Sequence, residues 1–346
     1  MVNKKIVGIA AIIIILAVIV GAYFVSSSSA NTIKQGYVPS TGDALVFIAY
    51  EEGFFKDEGL DVQLTQFSSV VDENNALAAD KIDVMAGGVG EPLNLISKGQ
   101  NLSVIGGIMA GDSAVISSPG KVAELQDIQN FKGKTVATVR TSTGDVIWKA
   151  ALLNAGINES SINIVEFKTP GDVIQAVKSG KADAGIVWPP FEYTAEQQNL
   201  SIVKFSNDYI PNLPCCRATV KTSTLQKNPD KWIKYERALI KAYDFYKNNP
   251  DKTVNITAKY VDMDKGVLKT ALYNDKLSLS PDPNKKGTLE YWAILNKIGY
   301  VNTGNTDLSQ YINTTVYKTA LDQIVKENPN NANYQTLETE YSQNDA

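Results

Sequence analysis

The sequence predicts an α/β protein of two lobes, each a mainly parallel sheet flanked by helices, with a helical C-terminal part. Three observations carry this. Between Thr32 and Trp188, short β-like runs alternate with helical segments, the pattern of βα units. A pseudo-repeat joins two stretches of the chain. Ala79-Asp80-Lys81-Ile82-Asp83-Val84 resembles Gly180-Lys181-Ala182-Asp183-Ala184-Gly185, with Asp83 and Asp183 aligned, and Leu60-Asp61-Val62 resembles Ile162-Asn163-Ile164 in the same way. From Pro229 onward the apolar spacing is helical throughout.

The elements follow in order. Lys4 and Lys5 precede an uncharged run, Ile6 to Val25. Its length matches one bilayer core, ~20 residues at ~1.5 Å each. It exceeds the ~7–15 apolar residues of a signal peptide, so an uncleaved membrane anchor is expected, with cleavage after Ser28-Ser29-Ala30 as the alternative. The two lysines keep the N-terminus inside, which places residues 31–346 outside the cytoplasm, cell-surface anchored or secreted. Strands are then expected at Thr32–Pro39, Asp61–Phe67, Ile82–Ala86 and Ser103–Met109, with helices at Ala44–Glu58, Asn74–Asp80 and Glu91–Lys98. The pattern resumes with strands at Thr135–Arg140, Ile162–Phe167 and Ala184–Trp188, and helices at Gly144–Asn154 and Asp172–Lys178. Helices near Lys231–Lys247, Leu289–Lys297 and Val316–Lys326 close the chain.

Composition removes several functions. The 346 residues carry a net charge of −4 and no histidine. That balance is wrong for nucleic acid. Zero histidines exclude Ser-His-Asp triads, Cys-His dyads and most zinc sites, and no metal or other cofactor is implied. The two cysteines, Cys215 and Cys216, are adjacent and cannot frame a disulfide scaffold. They are open to three readings: buried thiols, a vicinal disulfide, or neighbours of a ligand.

The run Glu51-Glu52-Gly53-Phe54-Phe55-Lys56-Asp57-Glu58-Gly59-Leu60-Asp61-Val62 resembles the signature of the solute-binding proteins that serve sulfonate, taurine, nitrate, bicarbonate and thiamine-precursor ABC importers. Weaker matches follow in order: Ala79–Val84 with Gly87-Gly88-Val89-Gly90, then Phe131–Ala137, Gly180–Ala184 and Val187-Trp188-Pro189-Pro190. The resemblance covers residues 35–220 well. It departs in lacking the lipid-bearing cysteine, which a membrane-anchor helix would replace. It implies the type II periplasmic-binding-protein fold, with lobe 1 from residues 31–115 and 218–346 and lobe 2 from 116–217. It also implies a monomer that delivers a small anionic solute to an ABC permease and its ATPase, held to the membrane by its N-terminal helix, with no chemistry of its own.

The residues suggest where the solute would sit. In open α/β sheets, ligands bind at the carboxyl ends of strands. Those ends carry Ser40 and Thr41, Ser68 and Ser69, Gly88, Val89 and Gly90, then Arg140, Thr141, Ser142 and Thr143, and Trp188. Glycines and hydroxyls before a helix offer N–H and O–H donors to an oxyanion, or simply cap the helix. Arg140 and Arg217 could each give a bidentate fork to a sulfonate or carboxylate, or form an ion pair between lobes. Trp188 would wall the cleft or fill a core. Phe54 and Phe55 read as core. Phe191, Glu192 and Tyr193 with Trp188 would suit the alternative ligand, a thiamine pyrimidine. A thiamine-pyrimidine synthase shares the fold but relies on a histidine that this chain lacks, and a sensor domain would need a separate output partner.

Overall fold

The computed structural model describes residues 31–111, 113–211 and 213–346. The expected N-terminal anchor or signal segment lies outside them, and among the described residues no helix is long and apolar enough to cross a membrane.

The first sheet contains β1 (Thr32–Tyr37), β2 (Asp61–Gln66), β3 (Val84–Met85), β4 (Leu102–Gly111), β10 (Pro214–Lys221) and β11 (Leu277–Leu279), ordered β11-β4-β10-β3-β1-β2. The second contains β5 (Ala114–Ser117), β6 (Thr135–Thr138), β7 (Asn163–Glu166), β8 (Ala184–Val187) and β9 (Ser201–Phe205), ordered β7-β6-β8-β5-β9. Each half repeats one motif. β1 pairs in parallel with β2 and β3, and β6 pairs in parallel with β7 and β8. The aligned aspartates do the same work in both. Asp83 accepts the Lys34 N–H and Asp183 accepts the Thr135 N–H, each at 2.8 Å, which ties the turn before a strand to the start of its neighbour.

The sheets are mixed rather than mainly parallel. β10 runs antiparallel to β3 and β4, and β5 runs antiparallel to β8 and β9. β5 and most of β10 are evenly buried and β11 has only three residues, so they show no usable alternation; with β9 they are the strands the periodicity did not predict. Three of them flank the two crossings between sheets, which join β4 to β5 and β9 to β10.

Local chemistry sets the element ends. The helix expected over Ala44–Glu58 breaks into Ala44–Glu51 and Phe54–Asp57, because Gly53 adopts φ +79°. Gly59, at φ +73°, ends the second piece: its N–H reaches the Lys56 carbonyl, and the Leu60 N–H reaches Phe55. Phe55 is buried and stacks on Tyr235, with ring centroids 5.4 Å apart, so this aromatic is core as expected. Tyr235 lies on the long helix Pro229–Asn248, whose apolar face covers the first sheet. A second apolar seam joins the halves: Tyr291 and Trp292 of the helix Lys285–Lys297 pack with Val146 and Ile147 of the helix Thr143–Asn154.

Candidate functional site

The strand-end loops of the two sheets face each other across a cavity of about 80 Å³. One water needs ~10–15 Å³ on this measure, so the space suits a small solute. Of the residues expected at the site, Ser40, Ser69, Gly88, Arg140, Thr141, Ser142, Thr143 and Trp188 line it. Trp188 meets Phe191 edge-to-face, with centroids 6.1 Å apart, and presents a half-buried wall.

Five expected residues lie elsewhere. Thr41 is buried in the turn beneath the cavity. Ser68 is exposed and sits near the Asp72 carboxylate. Val89 is core, its N–H donating to the Cys215 carbonyl at 2.8 Å. Gly90 abuts the other half: a Cβ there would lie 2.6 Å from the Thr141 carbonyl oxygen. Arg217 is buried behind the cavity wall, donating to the carbonyls of Met109 (3.1 Å) and Cys216 (2.7 Å). Its side chain leaves β10 among interior groups, so a lone arginine near a strand end was a poor guide. Of the residues that would suit a pyrimidine, only Trp188 reaches the cavity.

Several lining residues escaped the sequence reading: Asp43, Glu91, Lys168 and Met109. Lys168 follows Phe167 at the end of β7, so the strand-end rule would have found it. Asp43 ends the short turn Thr41–Asp43, three residues beyond Ser40. Of the three readings of Cys215 and Cys216, the structure shows thiols rather than a vicinal disulfide, both on the cavity wall with sulfurs 3.4 Å apart.

Most of the expected donors are already engaged. Ser69 accepts the Asp72 N–H at 3.1 Å and donates to the Asp72 carboxylate at 2.8 Å. Ser142 accepts the Asp145 N–H, capping the helix Thr143–Asn154. Asp145 itself is buried, receiving the Thr138 hydroxyl (3.1 Å), the Thr141 N–H (3.2 Å) and the Tyr300 hydroxyl (2.5 Å). Burial raises the Asp145 pKa, against the opposing pull of Lys149. Arg140 pairs with Glu166 at 3.0 Å and lies 4.3 Å over the Tyr300 ring, with its side chain about half exposed.

Two contacts bridge the halves at the rim. The Ser40 hydroxyl donates to the Pro189 carbonyl at 3.0 Å, and the Thr141 hydroxyl reaches Glu91 at 3.2 Å. Thr141 holds φ +65°, a left-handed conformation that costs a β-branched residue ~1–3 kcal/mol. The strain is concentrated where the halves meet.

At the cavity floor the carboxyl groups are shielded. Burial raises the Asp43 pKa well above the usual carboxylate range, reinforced by nearby Glu73 and Cys215. Burial likewise pushes Glu73 to about 8. The hydrogen bond with Cys215 and then burial raise the Cys216 thiol well above its ordinary value.

The family model described as "NMT1/THI5 like" matches residues 41–253. The chain belongs to the NMT1/THI5-like family. A candidate binding protein of Brucella abortus (strain 2308) is 26% identical to this member over 248 residues, covering 70% of this chain and 76% of that protein. A candidate aliphatic-sulfonates-binding protein of Bacillus subtilis (strain 168) is 27% identical over 241 residues, 66% of this chain and 70% of the relative. Among solved structures, the ligand-binding component of an ABC-type import system from Staphylococcus aureus, crystallised with zinc bound, superimposes with a TM-score of 0.74 at 18% identity, over 84% of this chain and 99% of that one. At that identity the likeness establishes the fold, that of the two-lobed periplasmic binding proteins, as the resemblance in the sequence implies. Among the described residues, no group of three or more acidic or cysteine side chains could hold a metal ion.

Proposed function

We propose that this family member is the extracytoplasmic solute receptor of an ABC importer, a binding protein without catalytic activity. Its two lobes close on a small solute bearing an anionic group and present it to a membrane permease and its ATPase. The observation that carries the reading is the placement of Arg140 and Lys168. They are the cations of the cavity lining, both stand on the second-sheet side, and they face the strand-end loops of the first sheet. The Bacillus relative, described as binding aliphatic sulfonates, supports the class of solute. Hinge closure of two lobes about such a cleft requires only differential binding of the closed form.

The test is a thermal-shift screen of the full-length protein against taurine, alkanesulfonates, nitrate, bicarbonate and a thiamine pyrimidine, followed by calorimetry. A ligand at ~100 times its Kd stabilises by ~2.7 kcal/mol, which raises the melting midpoint by a few degrees. Arg140→Ala is expected to weaken the anion that binds by at least ~10-fold, since a hydrogen bond to a charged group is worth ~1.5–3 kcal/mol. Unchanged affinity removes Arg140 from the site, and a shift only with the pyrimidine overturns the anion assignment.

A further inference from the structure

Tyr300 reaches the second-sheet rim of the cavity from the opposite half of the molecule. It follows the helix Lys285–Lys297, whose Tyr291, Trp292 and Leu295 share one core cluster with Met85 and Leu93 of the first half. Gly299, at φ +75°, ends that helix: its N–H reaches the Asn296 carbonyl at 3.1 Å, and the Tyr300 N–H reaches the Leu295 carbonyl at 2.9 Å. This pair of bonds turns the chain back on the helix and fixes the Tyr300 backbone. The hydroxyl then sits between two interior groups of the helix Thr143–Asn154. It accepts from Lys149 and donates to Asp145, each at 2.5 Å. Lys149 is 3% exposed and Asp145 fully buried, so this anchor is shielded from water. Held there, the ring turns its face to Arg140, whose guanidinium carbon lies 4.3 Å from the centroid.

Arg140 needs such support. Its side chain is about half exposed and leaves a loop between a strand and a helix. A free arginine surrenders much rotamer freedom when it captures an anion, and that loss comes off the affinity. Glu166 holds Nη1 at one edge of the guanidinium at 3.0 Å, and the Tyr300 ring covers one face. A planar cation stacked on an aromatic ring keeps its in-plane N–H groups for a ligand. Asp145 extends the brace, since it also accepts the N–H of Thr141, the residue after Arg140, at 3.2 Å.

We propose that Tyr300 is a positioning residue for solute capture, its ring holding the Arg140 guanidinium in place and its hydroxyl holding the ring. The proposal rests on the anion-receptor reading above and deepens it. It also gives the helical C-terminal part a task at the site, although no residue lining the cavity lies beyond Cys216. The two ends of the side chain divide the work: the hydroxyl serves stability, and the ring serves affinity.

The test is calorimetric titration of the full-length protein with taurine, ethanesulfonate, nitrate and bicarbonate, with thermal unfolding of each variant in the free state. Tyr300→Phe keeps the ring but strips Asp145 and Lys149 of a partner, so the melting midpoint should fall while anion affinity stays within ~3-fold. Tyr300→Leu removes the ring and should weaken the anion by ~5- to ~30-fold. Tyr300→pentafluorophenylalanine has nearly the shape of phenylalanine with the charge of the ring face reversed. It should bind the anion at least ~5-fold more weakly than Tyr300→Phe, at a similar melting midpoint. In an Arg140→Ala background the two ring variants should agree within ~2-fold. Equal anion affinity for the two ring variants with Arg140 present overturns the positioning role and leaves the receptor reading standing. Binding of none of the four anions overturns both. Should Tyr300→Leu fail to fold, the comparison of the two ring variants decides by itself.

Discussion

Replacing Gly90 by alanine should separate lobe closure from folding. Gly90 opens the helix Gly90–Ser97 and is not among the glycines with positive φ, so its backbone accepts a side chain. Alanine even favours the helix, by up to ~1 kcal/mol. The main obstacle lies across the cleft, where the new Cβ would stand 2.6 Å from the Thr141 carbonyl oxygen; the Tyr291 hydroxyl of its own half, 3.1 Å away, need give only a few tenths of an ångström. Ordinary contact between such atoms begins near ~3.5 Å, so the halves must part by close to ~1 Å at this point. Overpacking of this size costs ~1–3 kcal/mol. Because Thr141 belongs to the other half, the protein relieves the clash by staying open, and the cost falls on the bound form. At ~1.4 kcal/mol per tenfold, solute affinity should drop by ~5- to ~150-fold, with the melting midpoint of the free protein unchanged or slightly raised. Calorimetry gives the first quantity and thermal unfolding the second, while small-angle scattering with saturating solute reports whether the particle contracts. Affinity within twofold of the unaltered protein, with full contraction, would refute the claim that this contact accompanies binding.

Three further outcomes are expected. Glu73, at about 8, keeps its proton in the folded chain when the unfolded chain, near its ordinary 4.5, has released it. Folding therefore takes up a proton between those values, and stability falls as pH rises through that window, by at most ~5 kcal/mol at ~1.4 kcal/mol per pH unit. Glu73→Gln should flatten the decline of the melting midpoint from pH 5 to pH 8, and an unchanged slope would assign that decline elsewhere. Thr141→Gly removes the left-handed strain but also the hydroxyl that meets Glu91. Strain relief of ~1–3 kcal/mol and glycine's extra chain entropy largely cancel, so stability should move by less than ~1 kcal/mol while solute affinity falls severalfold. Cys216, with its thiol pKa pushed up, should react slowly with iodoacetamide at pH 7.5, and more slowly still under saturating solute. Equal rates with and without solute would take the thiol pair out of the binding cavity.

The parts of this fold that repeat were the parts the sequence disclosed. The unit β2-β1-β3 and its counterpart β7-β6-β8 each carry an aspartate before the last strand, and both make the same backbone hydrogen bond, so the spacing of Asp83 and Asp183 had a physical cause. The connecting strands left no such mark. All four residues of β5 are buried, which gives no alternation to detect, and β10 bends at register shifts on both sides of Cys216. Within the site, loops such as Arg140–Thr143 were legible because hydroxyls between a strand and a helix are a local signal. Asp43 and Arg217 were not, because their roles depend on which way a side chain leaves its turn or strand. Arg217 turns inward to carbonyls of β4 and β10, and Asp43 declines its cap.

The helix N-termini around the cavity give a reason to place the solute's anionic end by cations rather than by glycine loops. Each of the three candidate loops carries its own carboxylate in the first helical turn: Asp72 after Ser69, Glu91 after Gly90 and Asp145 after Ser142. Asp72 is held by the Ser69 hydroxyl, Asp145 by Thr138, Thr141 and Tyr300, and Glu91 by the Thr141 hydroxyl. A negative side chain in the first turn already answers the helix dipole, worth ~0.3–1 kcal/mol, and repels a second anion placed beside it. The loops thus contribute shape and N–H groups more than attraction. Attraction for an oxyanion is left to Arg140 and Lys168, and of these Arg140 is shared with Glu166. Glu166→Gln should accordingly free the guanidinium and tighten anion binding severalfold, the opposite sign from Arg140→Ala. Weaker binding in Glu166→Gln would mean that the pair acts by holding Arg140 in place rather than by competing for it.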